Sequence, residues 1–248
     1  MRISQRGSPV PVRSQNLSQH EARPPLEGSP LCGVVLCGGR SQRMGTDKAL
    51  LSFGGKTLLE HVIGRVREGI GGGPIVVVAS PLQELPPFLG EGVEILRDEE
   101  AFAGPVAGLA RAFGLLGESG GDKWAFVTGC DAPELVTGLI RNLGSRRPRE
   151  ADVVLPLVDG YEQPLMACYH IGKCIDLLKE MYIRDSSLRA FTSKLAVKTI
   201  PEVEVRKWDP QLQSFWNCHR PKDWERWVAM QTALRSGGSP ADESASQS

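Results

Sequence analysis

Residues 31–48 read LCGVVLCGGRSQRMGTDK, and the change inside this stretch from an apolar run to a glycine pair decides the fold class. Residues 31–37 are apolar, include β-branched valines and are too few for a helix, so they predict a buried strand. Downstream, Thr57 and Glu60 form a capping box, which predicts the start of a helix whose apolar residues recur at helical spacing. A strand, a glycine-rich turn and a helix in this order indicate an α/β fold.

The same alternation of strands and helices continues along the chain. Apolar runs predict further strands at residues 75–79, 93–96, 124–128, 153–157, 165–169 and 196–200. Helical patterns predict helices at residues 105–116, 133–143, 171–181, 187–194 and 221–234. Strands that alternate with helices form βαβ units on a parallel sheet. The sequence therefore predicts one three-layer α/β domain over residues 31–234, with a mostly parallel central sheet.

The two ends of the chain have a different composition. Residues 1–30 are rich in Pro, Ser, Arg and Gln and lack an apolar signal-peptide core, so they predict a disordered leader. Residues 235–248 predict a disordered tail on similar grounds. The six cysteines are scattered and form no Cys-x-x-Cys pair, which favours reduced thiols in a cytoplasmic protein.

The charge balance limits the classes of ligand. Lys plus Arg equals Asp plus Glu at 29 each, so no overall field favours nucleic acid or an acidic membrane. No apolar run approaches the roughly 18 residues needed to span a bilayer. A phosphorylated ligand would have to bind at a local cluster of charge, which points to a small molecule rather than a polymer.

The stretch after the first strand has the composition of a phosphate-binding loop. Glycines let the backbone approach a phosphate closely, and Arg43 and Lys48 supply positive charge. A P-loop is excluded because Lys48 follows Asp47 and precedes Ala49, and the glycine spacing does not fit a dinucleotide-binding fingerprint. The alternative interpretation is a tight loop with two solvated basic residues.

Two acidic residues at strand ends are candidates for the opposite side of such a site. Asp131 follows the strand at residues 124–128, on the same edge as the glycine loop, and could bind the Mg²⁺ that a triphosphate requires. Asp131 could instead cap the next helix, because Asp is a favoured N-cap residue. Asp98 follows the strand at residues 93–96, and its alternative interpretation is an exposed turn residue beside Glu99.

Residues 36–51, which read LCGGRSQRMGTDKALL, resemble the signature loop of the molybdenum cofactor guanylyltransferases. These proteins belong to a wider group of nucleotidyltransferases with a Rossmann-like fold. In the related cytidylyltransferases a proline usually precedes the lysine, so Asp47 before Lys48 favours guanylyl transfer. The resemblance covers roughly residues 31–234 and is strongest in the glycine loop.

The resemblance implies a reaction in which a phosphate of molybdopterin attacks the α-phosphorus of GTP and releases pyrophosphate. Positioning and charge neutralisation dominate such transfers, and the attacking phosphate is already ionised, so no side-chain base is needed. The implied cofactor is Mg²⁺ and the implied ligands are GTP and molybdopterin. Molybdoenzymes or cofactor-delivery proteins are the implied protein partners, with no nucleic acid and no membrane.

The resemblance also assigns roles to individual residues. An aspartate at the position of Asp98 contacts the nucleotide in similar proteins, and an Asp-x-Pro element such as the one at Asp131 resembles the magnesium-binding element. The predicted catalytic residues are Arg43, Lys48 and Asp131. The predicted nucleotide-binding residues are Leu36, Cys37, Gly38, Gly39, Lys48, Asp98 and Asp131, and Asp131 is the predicted metal ligand.

The C-terminal half resembles the family less closely. Gln163 lies in a Gln-Pro strand that faces the second substrate in these enzymes, and Asn217 begins a terminal Asn-x-Asn-Thr-Pro element. Here His219 and Arg220 replace the second Asn and the Thr, so the role of Asn217's usual partner is open. Gln163 and Asn217 are the predicted acceptor-binding residues. Two alternatives remain: a cytidylyl or sugar-phosphate transferase of this fold, and a non-catalytic nucleotide-binding regulator.

Overall fold

The computed structural model describes residues 31–38, 47–99, 104–118, 120, 122–182, 187–218 and 221–235. The predicted leader at residues 1–30 lies outside the described residues, as does the predicted tail from residue 236 onward. Among the described residues, no helix combines the length and the apolar character that a bilayer crossing requires.

Strands and helices alternate along the first half of the chain. The strands are β1 (Leu31–Leu36), β2 (Ser52–Phe53), β3 (Lys56–Thr57), β4 (Ile75–Ala79), β5 (Val93–Arg97), β6 (Trp124–Gly129), β7 (Val153–Val158), β8 (Tyr161–Glu162), β9 (Met166–His170) and β10 (Val197–Pro201). The helices are α1 (Leu58–Ile70), α2 (Gly104–Gly117), α3 (Thr137–Ser145), α4 (Ile171–Tyr182), α5 (Leu188–Thr192), α6 (Glu202–Trp208) and α7 (Pro221–Arg235).

The main sheet of the described residues has the strand order β10-β7-β9-β6-β1-β4-β5, with β8 paired to β7. Neighbouring strands from β6 to β5 are parallel, and so are β7 and β10. In contrast, β9 runs antiparallel to both β6 and β7, so the sheet is mixed around a parallel core. The connection from β7 to β9 is too short for the crossover of about a dozen residues that parallel neighbours require.

Helices cover both faces of the sheet. Successive residues of a strand point to opposite faces. In β1, Val35 packs with buried residues of α1 and α3, whereas Val34 packs with buried residues of α2 and α4. The helices pair accordingly, α1 with α3 and α2 with α4. The three layers of the predicted α/β fold are therefore present.

The start of α1 confirms a local prediction and the start of α3 corrects one. Thr57 caps α1, and the reciprocal bonds of the capping box with Glu60 are both formed. The helix predicted from residue 133 begins only at Thr137, and its N-cap is Val136. Residues 131–136 form a loop instead, and this loop lies beside a cleft at the edge of the sheet.

Candidate active site

A cleft of about 490 Å³ opens at the carboxyl edge of β1, β4, β5 and β6. In open α/β sheets this edge is the usual ligand site, because groups from several strand ends converge there. The first turns of α2 close one side of the cleft. Its lining includes each predicted nucleotide-binding residue that the structure describes, namely Leu36, Cys37, Gly38, Lys48, Asp98 and Asp131.

Lys48 and Asp131 bring opposite charges to one side of the cleft. Lys48 Nζ lies 3.8 Å from Asp131 Oδ2, and their side chains are 15% and 26% exposed. Partial burial weakens the screening of these charges by water, so they can act strongly on a charged ligand. Lys48 begins a short 3₁₀ helix, and Asp131 follows the end of β6. Two segments distant in sequence thus meet at one point.

The interpretation of Asp131 as a helix cap is wrong. Val136 caps α3, so the Asp131 carboxylate is not needed at that helix. The backbone carbonyl of Asp131 accepts a hydrogen bond of 2.8 Å from the amide of Cys218, which fixes the loop. A Cβ atom at Gly129 would lie 2.7 Å from Asp131 Oδ1, so the carboxylate occupies space that only a glycine leaves open.

Asp98 lies at the end of β5 and is buried rather than exposed in a turn. Its side chain is 9% exposed, and Oδ1 has no hydrogen-bond partner among the described residues. Burial raises the pKa of Asp98, although Arg111 acts in the opposite direction. A Cβ atom at Gly38 would lie 3.5 Å from Asp98 Oδ2, so the carboxyl group approaches the backbone after β1. A buried acceptor facing a cleft is suited to a ligand's donor groups.

The backbone amides after β1 require a correction. We predicted that amides from Cys37 to Gly39 would hold the nucleotide. Instead, the Cys37 amide donates to the carbonyl of Val78 at 2.7 Å and the Gly38 amide donates to the same carbonyl at 3.3 Å. Both amides continue the pairing of β1 with β4 beyond the strand end. A ligand can therefore contact Cys37 and Gly38 only through atoms other than these two amides.

The start of α2 approaches the sheet very closely. A Cβ atom at Gly108 would lie 3.1 Å from Leu36 Cδ2 and 3.4 Å from Val78 Cγ1. Gly104, the first residue of α2, has a φ of 85°, which favours glycine. The two glycines let Pro105 and the first turns of the helix form a wall of the cleft.

Gln83, which no motif in the sequence singles out, contacts the predicted loop at two points. Its Nε2 donates to the carbonyl of Cys37 at 3.2 Å and to Asp47 Oδ1 at 2.9 Å. Its Oε1 accepts from the amide of Ser80 at 3.1 Å. The available signal was its place in the loop after β4, because polar residues near the carboxyl ends of parallel strands tend to meet at the ligand site.

Several predicted site residues lie elsewhere or outside the described residues. Arg43 and Gly39 are not among the described residues. Gln163 does not line the cleft, and its side-chain amide donates to the carbonyl of Tyr161 at 3.2 Å. Asn217 is exposed and also lies outside the cleft lining. The two predicted acceptor residues are therefore not brought together with Lys48 and Asp131 in the cleft wall.

Two thiols near the cleft, those of Cys130 and Cys218, have raised pKa values. All six cysteines are buried and none forms a disulfide, as predicted. Burial raises the pKa of Cys218 to about 11. Cys130, whose thiol interacts with Cys37 in the protein interior, has a pKa raised well above its ordinary value. Because a thiolate is the reactive form of cysteine, these groups offer no covalent chemistry near neutral pH.

The donor groups of the cleft are compatible with a magnesium nucleotide. Within the described residues, no cluster of three or more His, Cys, Asp or Glu side chains could hold a metal ion by itself. Magnesium often binds one or two carboxylates and completes its shell with substrate phosphates and water. Asp131 supplies such a carboxylate, which occupies the space that Gly129 leaves open.

Residues 33–199 match the family model described as "MobA-like NTP transferase domain". The chain belongs to this family. Membership confirms the predicted nucleotidyltransferase class, and the match includes most of β1, the Lys48 turn, Gln83, Asp98 and the Asp131 loop. It ends within β10, so the segment that follows lies beyond the family model.

Curated relatives share this similarity over much of their length. The molybdenum cofactor guanylyltransferase of Desulfosudis oleivorans is 29% identical over 207 residues, which cover 83% of this chain and 96% of the relative. A Mycobacterium tuberculosis protein named "Probable molybdenum cofactor guanylyltransferase" is 42% identical over 143 residues, which cover 56% of this chain and 68% of the relative.

A solved structure has the same fold. The molybdopterin-guanine dinucleotide biosynthesis protein A of Archaeoglobus fulgidus superimposes with a TM-score of 0.63, and the match covers 81% of this chain and 98% of the other. At 24% identity this likeness bears on the fold alone.

Proposed function

We propose that the protein transfers GMP from GTP to the phosphate of molybdopterin and releases pyrophosphate. The observation that carries this proposal is the pairing of Lys48 with Asp131, 3.8 Å apart, in a cleft at the strand ends of a nucleotidyltransferase fold. The curated relatives, whose names give this activity, support the choice of GTP and of the molybdenum cofactor as substrates.

The proposed reaction is a single displacement at phosphorus. An oxygen of the molybdopterin phosphate forms a bond to the α-phosphorus of GTP, and the bond from that phosphorus to the β-phosphate oxygen breaks. The electron pair leaves with pyrophosphate. The attacking phosphate is ionised near neutral pH, so the reaction requires orientation and charge stabilisation rather than proton abstraction.

Lys48 is the proposed group that stabilises negative charge on the departing pyrophosphate. An ammonium group acts as a compact point charge, and its partial burial strengthens its effect on a phosphate. Arg43 is proposed to assist it, because a guanidinium can bind two phosphate oxygens at once. The remaining predicted residues, Cys37, Gly38 and Gly39, would contact the nucleotide through the backbone atoms that strand pairing leaves available.

Asp131 is the proposed ligand of Mg²⁺. When bound, the ion would neutralise phosphate charge and favour one arrangement of the triphosphate. The carboxylate of Asp131 is held in place by its loop, whose backbone carbonyl at the same residue is bonded to Cys218. This arrangement keeps Asp131 in the cleft wall, without a role in capping α3.

Asp98 is proposed to contact the nucleoside part of GTP. Its Oδ1 has no partner among the described residues, and its carboxyl group lines the cleft near Gly38, so it is suited to accept from a donor group of the nucleoside. Gln163 and Asn217 are proposed to contact molybdopterin at the outer side of the site. Reduced cysteines favour a cytoplasmic setting, where molybdoenzymes or cofactor-delivery proteins would exchange the cofactor.

The test is an assay of pyrophosphate release with molybdopterin as acceptor. GTP, CTP, ATP and UTP are compared in the presence of magnesium, and the products are identified by mass. We expect release with GTP, formation of a guanine dinucleotide of the cofactor, and loss of both when EDTA removes the metal. Equal release with CTP would favour the cytidylyl alternative. No release with any triphosphate, from protein that still binds GTP, would favour the regulator.

A further inference from the structure

The side chain of Gln83 joins three segments at the edge of the cleft. Its Nε2 donates to the carbonyl of Cys37 at 3.2 Å and to Asp47 Oδ1 at 2.9 Å. Its Oε1 accepts from the amide of Ser80 at 3.1 Å. The end of β1, the end of β4 and the turn that carries Lys48 are therefore linked through one amide group.

The backbone of Gln83 is itself held in place. Its amide donates to the carbonyl of Ser80 at 3.2 Å, which closes a turn directly after β4. Its carbonyl accepts from Arg97 Nη1 at 2.8 Å, and the same guanidinium nitrogen bonds to the carbonyl of Ser80 at 3.0 Å. The loop is thus fastened to the neighbouring strand β5, so the Gln83 amide group is presented in a defined position.

Asp47 transmits this position to Lys48. Asp47 Oδ1 accepts from the amide of Ala49 at 3.0 Å and from Gln83 Nε2 at 2.9 Å. Asp47 is therefore the N-cap of the short helix whose first residue is Lys48. Ala49 is fully buried, so a shift of the turn would also disturb the packing of this side chain in the core.

We propose that Gln83 is a positioning residue that acts through Asp47 to hold the Lys48 ammonium against the Asp131 side of the cleft. The proposal rests on the proposed function, since it assumes that Lys48 stabilises the departing pyrophosphate. It adds a residue outside the glycine-rich loop to the machinery. It also gives Asp47 a physical role, because a carboxylate at this position accepts both the helix amide and the Gln83 amide.

The chemistry of the position requires a neutral amide. A glutamine both donates to Asp47 and Cys37 and accepts from Ser80, whereas a methionine of similar size would leave these partners unsatisfied. A glutamate would retain the acceptor for Ser80 but would place a second carboxylate within hydrogen-bonding distance of Asp47. Like charges at this separation repel each other, and the Lys48 turn would move away from Gln83.

The experiment measures kcat and KM for guanylyl transfer in Gln83→Glu, Gln83→Met, Asp47→Asn and the double variant Gln83→Glu/Asp47→Asn. We expect the two Gln83 variants to lower kcat about tenfold or more, because transition-state contacts of Lys48 depend on its position. The matched control is Gln211→Glu at an exposed position, for which kcat and KM stay unchanged.

The double variant separates positioning from a general loss of stability. The asparagine side chain that Asp47→Asn introduces would donate to the new carboxylate and still accept from Ala49. We therefore expect kcat of the double variant to recover above that of Gln83→Glu alone. A double variant at or below the single variant would overturn the proposal. A wild-type kcat in Gln83→Met would also overturn the proposal, and this variant provides the test if Gln83→Glu does not fold. A wild-type protein that transfers no GMP would instead reject the proposed function.

Discussion

Lys48 and Asp131 interact across 3.8 Å while both side chains remain partly open to the cleft. An ion pair of this kind contributes about 0–1 kcal/mol to stability. Because both residues line the cleft, the proposed function gives the pair its main effect on catalysis. The contributions of the ion pair to stability and to catalysis can be measured separately, because loss of charge at such a site should leave the fold intact.

The first prediction concerns Lys48→Ala. We expect turnover to fall about 100-fold or more, because a charge that stabilises the transition state is lost, while the free energy of unfolding changes by about 1 kcal/mol or less. Steady-state kinetics and denaturant unfolding measure the two effects. Lys56→Ala, at an exposed position in β3, is the matched control. Wild-type transfer by Lys48→Ala would contradict the assignment.

The second prediction concerns Asp98, whose pKa is raised above its ordinary value of 3.8 by burial. Because the ionised form is disfavoured in the folded state, the wild type loses stability as pH rises through the ordinary pKa toward the folded one. We therefore expect Asp98→Asn to be more stable than wild type at neutral pH, and the difference to vanish below about pH 4.

The same variant should bind GTP more weakly, because the amide presents only one acceptor and adds donors. Thermal unfolding across pH and GTP titration measure the two effects. A wild type that is more stable than Asp98→Asn at neutral pH would show that the ionised carboxylate has a stabilising partner after all.

The third prediction concerns Gly129, where a Cβ atom would lie 2.7 Å from Asp131 Oδ1. Gly129→Ala should displace the carboxylate and raise the magnesium concentration needed for half-maximal activity. The φ of Gly129 is not in the left-handed region, so backbone strain is not the cause. Gly64→Ala in α1 is the control, because a Cβ atom there meets nothing within 4 Å. This substitution should stabilise the helix by about 0.5–1 kcal/mol and leave the magnesium dependence unchanged. Unchanged magnesium dependence in Gly129→Ala would argue against Asp131 as the metal ligand.

At the level of elements, the C-terminal segment supports the loop that carries Asp131. Ser214 Oγ accepts from the amide of Val136 at 2.9 Å, and Gln231 Nε2 donates to Glu134 Oε1 at 2.7 Å. Trp227 bonds to the same carboxylate. Together with the bond from Cys218 to Asp131, these contacts fix residues 131–136 from the far end of the chain.

The fourth prediction therefore concerns Ser214→Ala. Loss of this hydroxyl leaves the Val136 amide without its acceptor, which should lower the free energy of unfolding by about 1–2 kcal/mol. Because the loop carries Asp131, kcat should fall as well. Ser145→Ala, in the exposed last turn of α3, is the control and should change neither. If Ser214→Ala lowers the free energy of unfolding but leaves kcat unchanged, the Asp131 loop keeps its position without this support.

These same contacts explain which elements could be predicted from sequence. The bounds of β4 and the capping box at Thr57 follow from local pattern, and the structure confirms both. The late start of α3 does not follow from local pattern, because the loop before it is fixed by Ser214 and Cys218, which are remote in sequence. Neither α6 nor the short pair β2–β3 was predicted, since both are too short to show a clear period.

At the level of the whole molecule, the parallel core was predictable and the complete sheet was not. Strand and helix alternation predicts parallel neighbours, and both neighbours of β1 are parallel to it. The direction of β9 depends on the length of a connection, which periodicity alone does not resolve.

The same division holds for the site. Asp98 and Asp131, which follow strand ends, were predictable because parallel strands end at one edge, whereas Lys48 was predicted from the glycine-rich stretch. The involvement of the Cys37 and Gly38 amides was predicted incorrectly, because their bonds to Val78 depend on how far the pairing of β1 and β4 extends. Gln83 was missed because only the folded chain brings it to Cys37 and Asp47.

The fate of the α-phosphate of GTP tests most directly whether the cleft joins it to an acceptor phosphate. The protein is incubated with magnesium, molybdopterin and GTP that carries a radioactive phosphorus in either the α or the γ position. We predict that the α label appears in the cofactor product and the γ label in pyrophosphate. Transfer of the γ label to the acceptor, or retention of the α label in free GTP and GDP, would contradict the account.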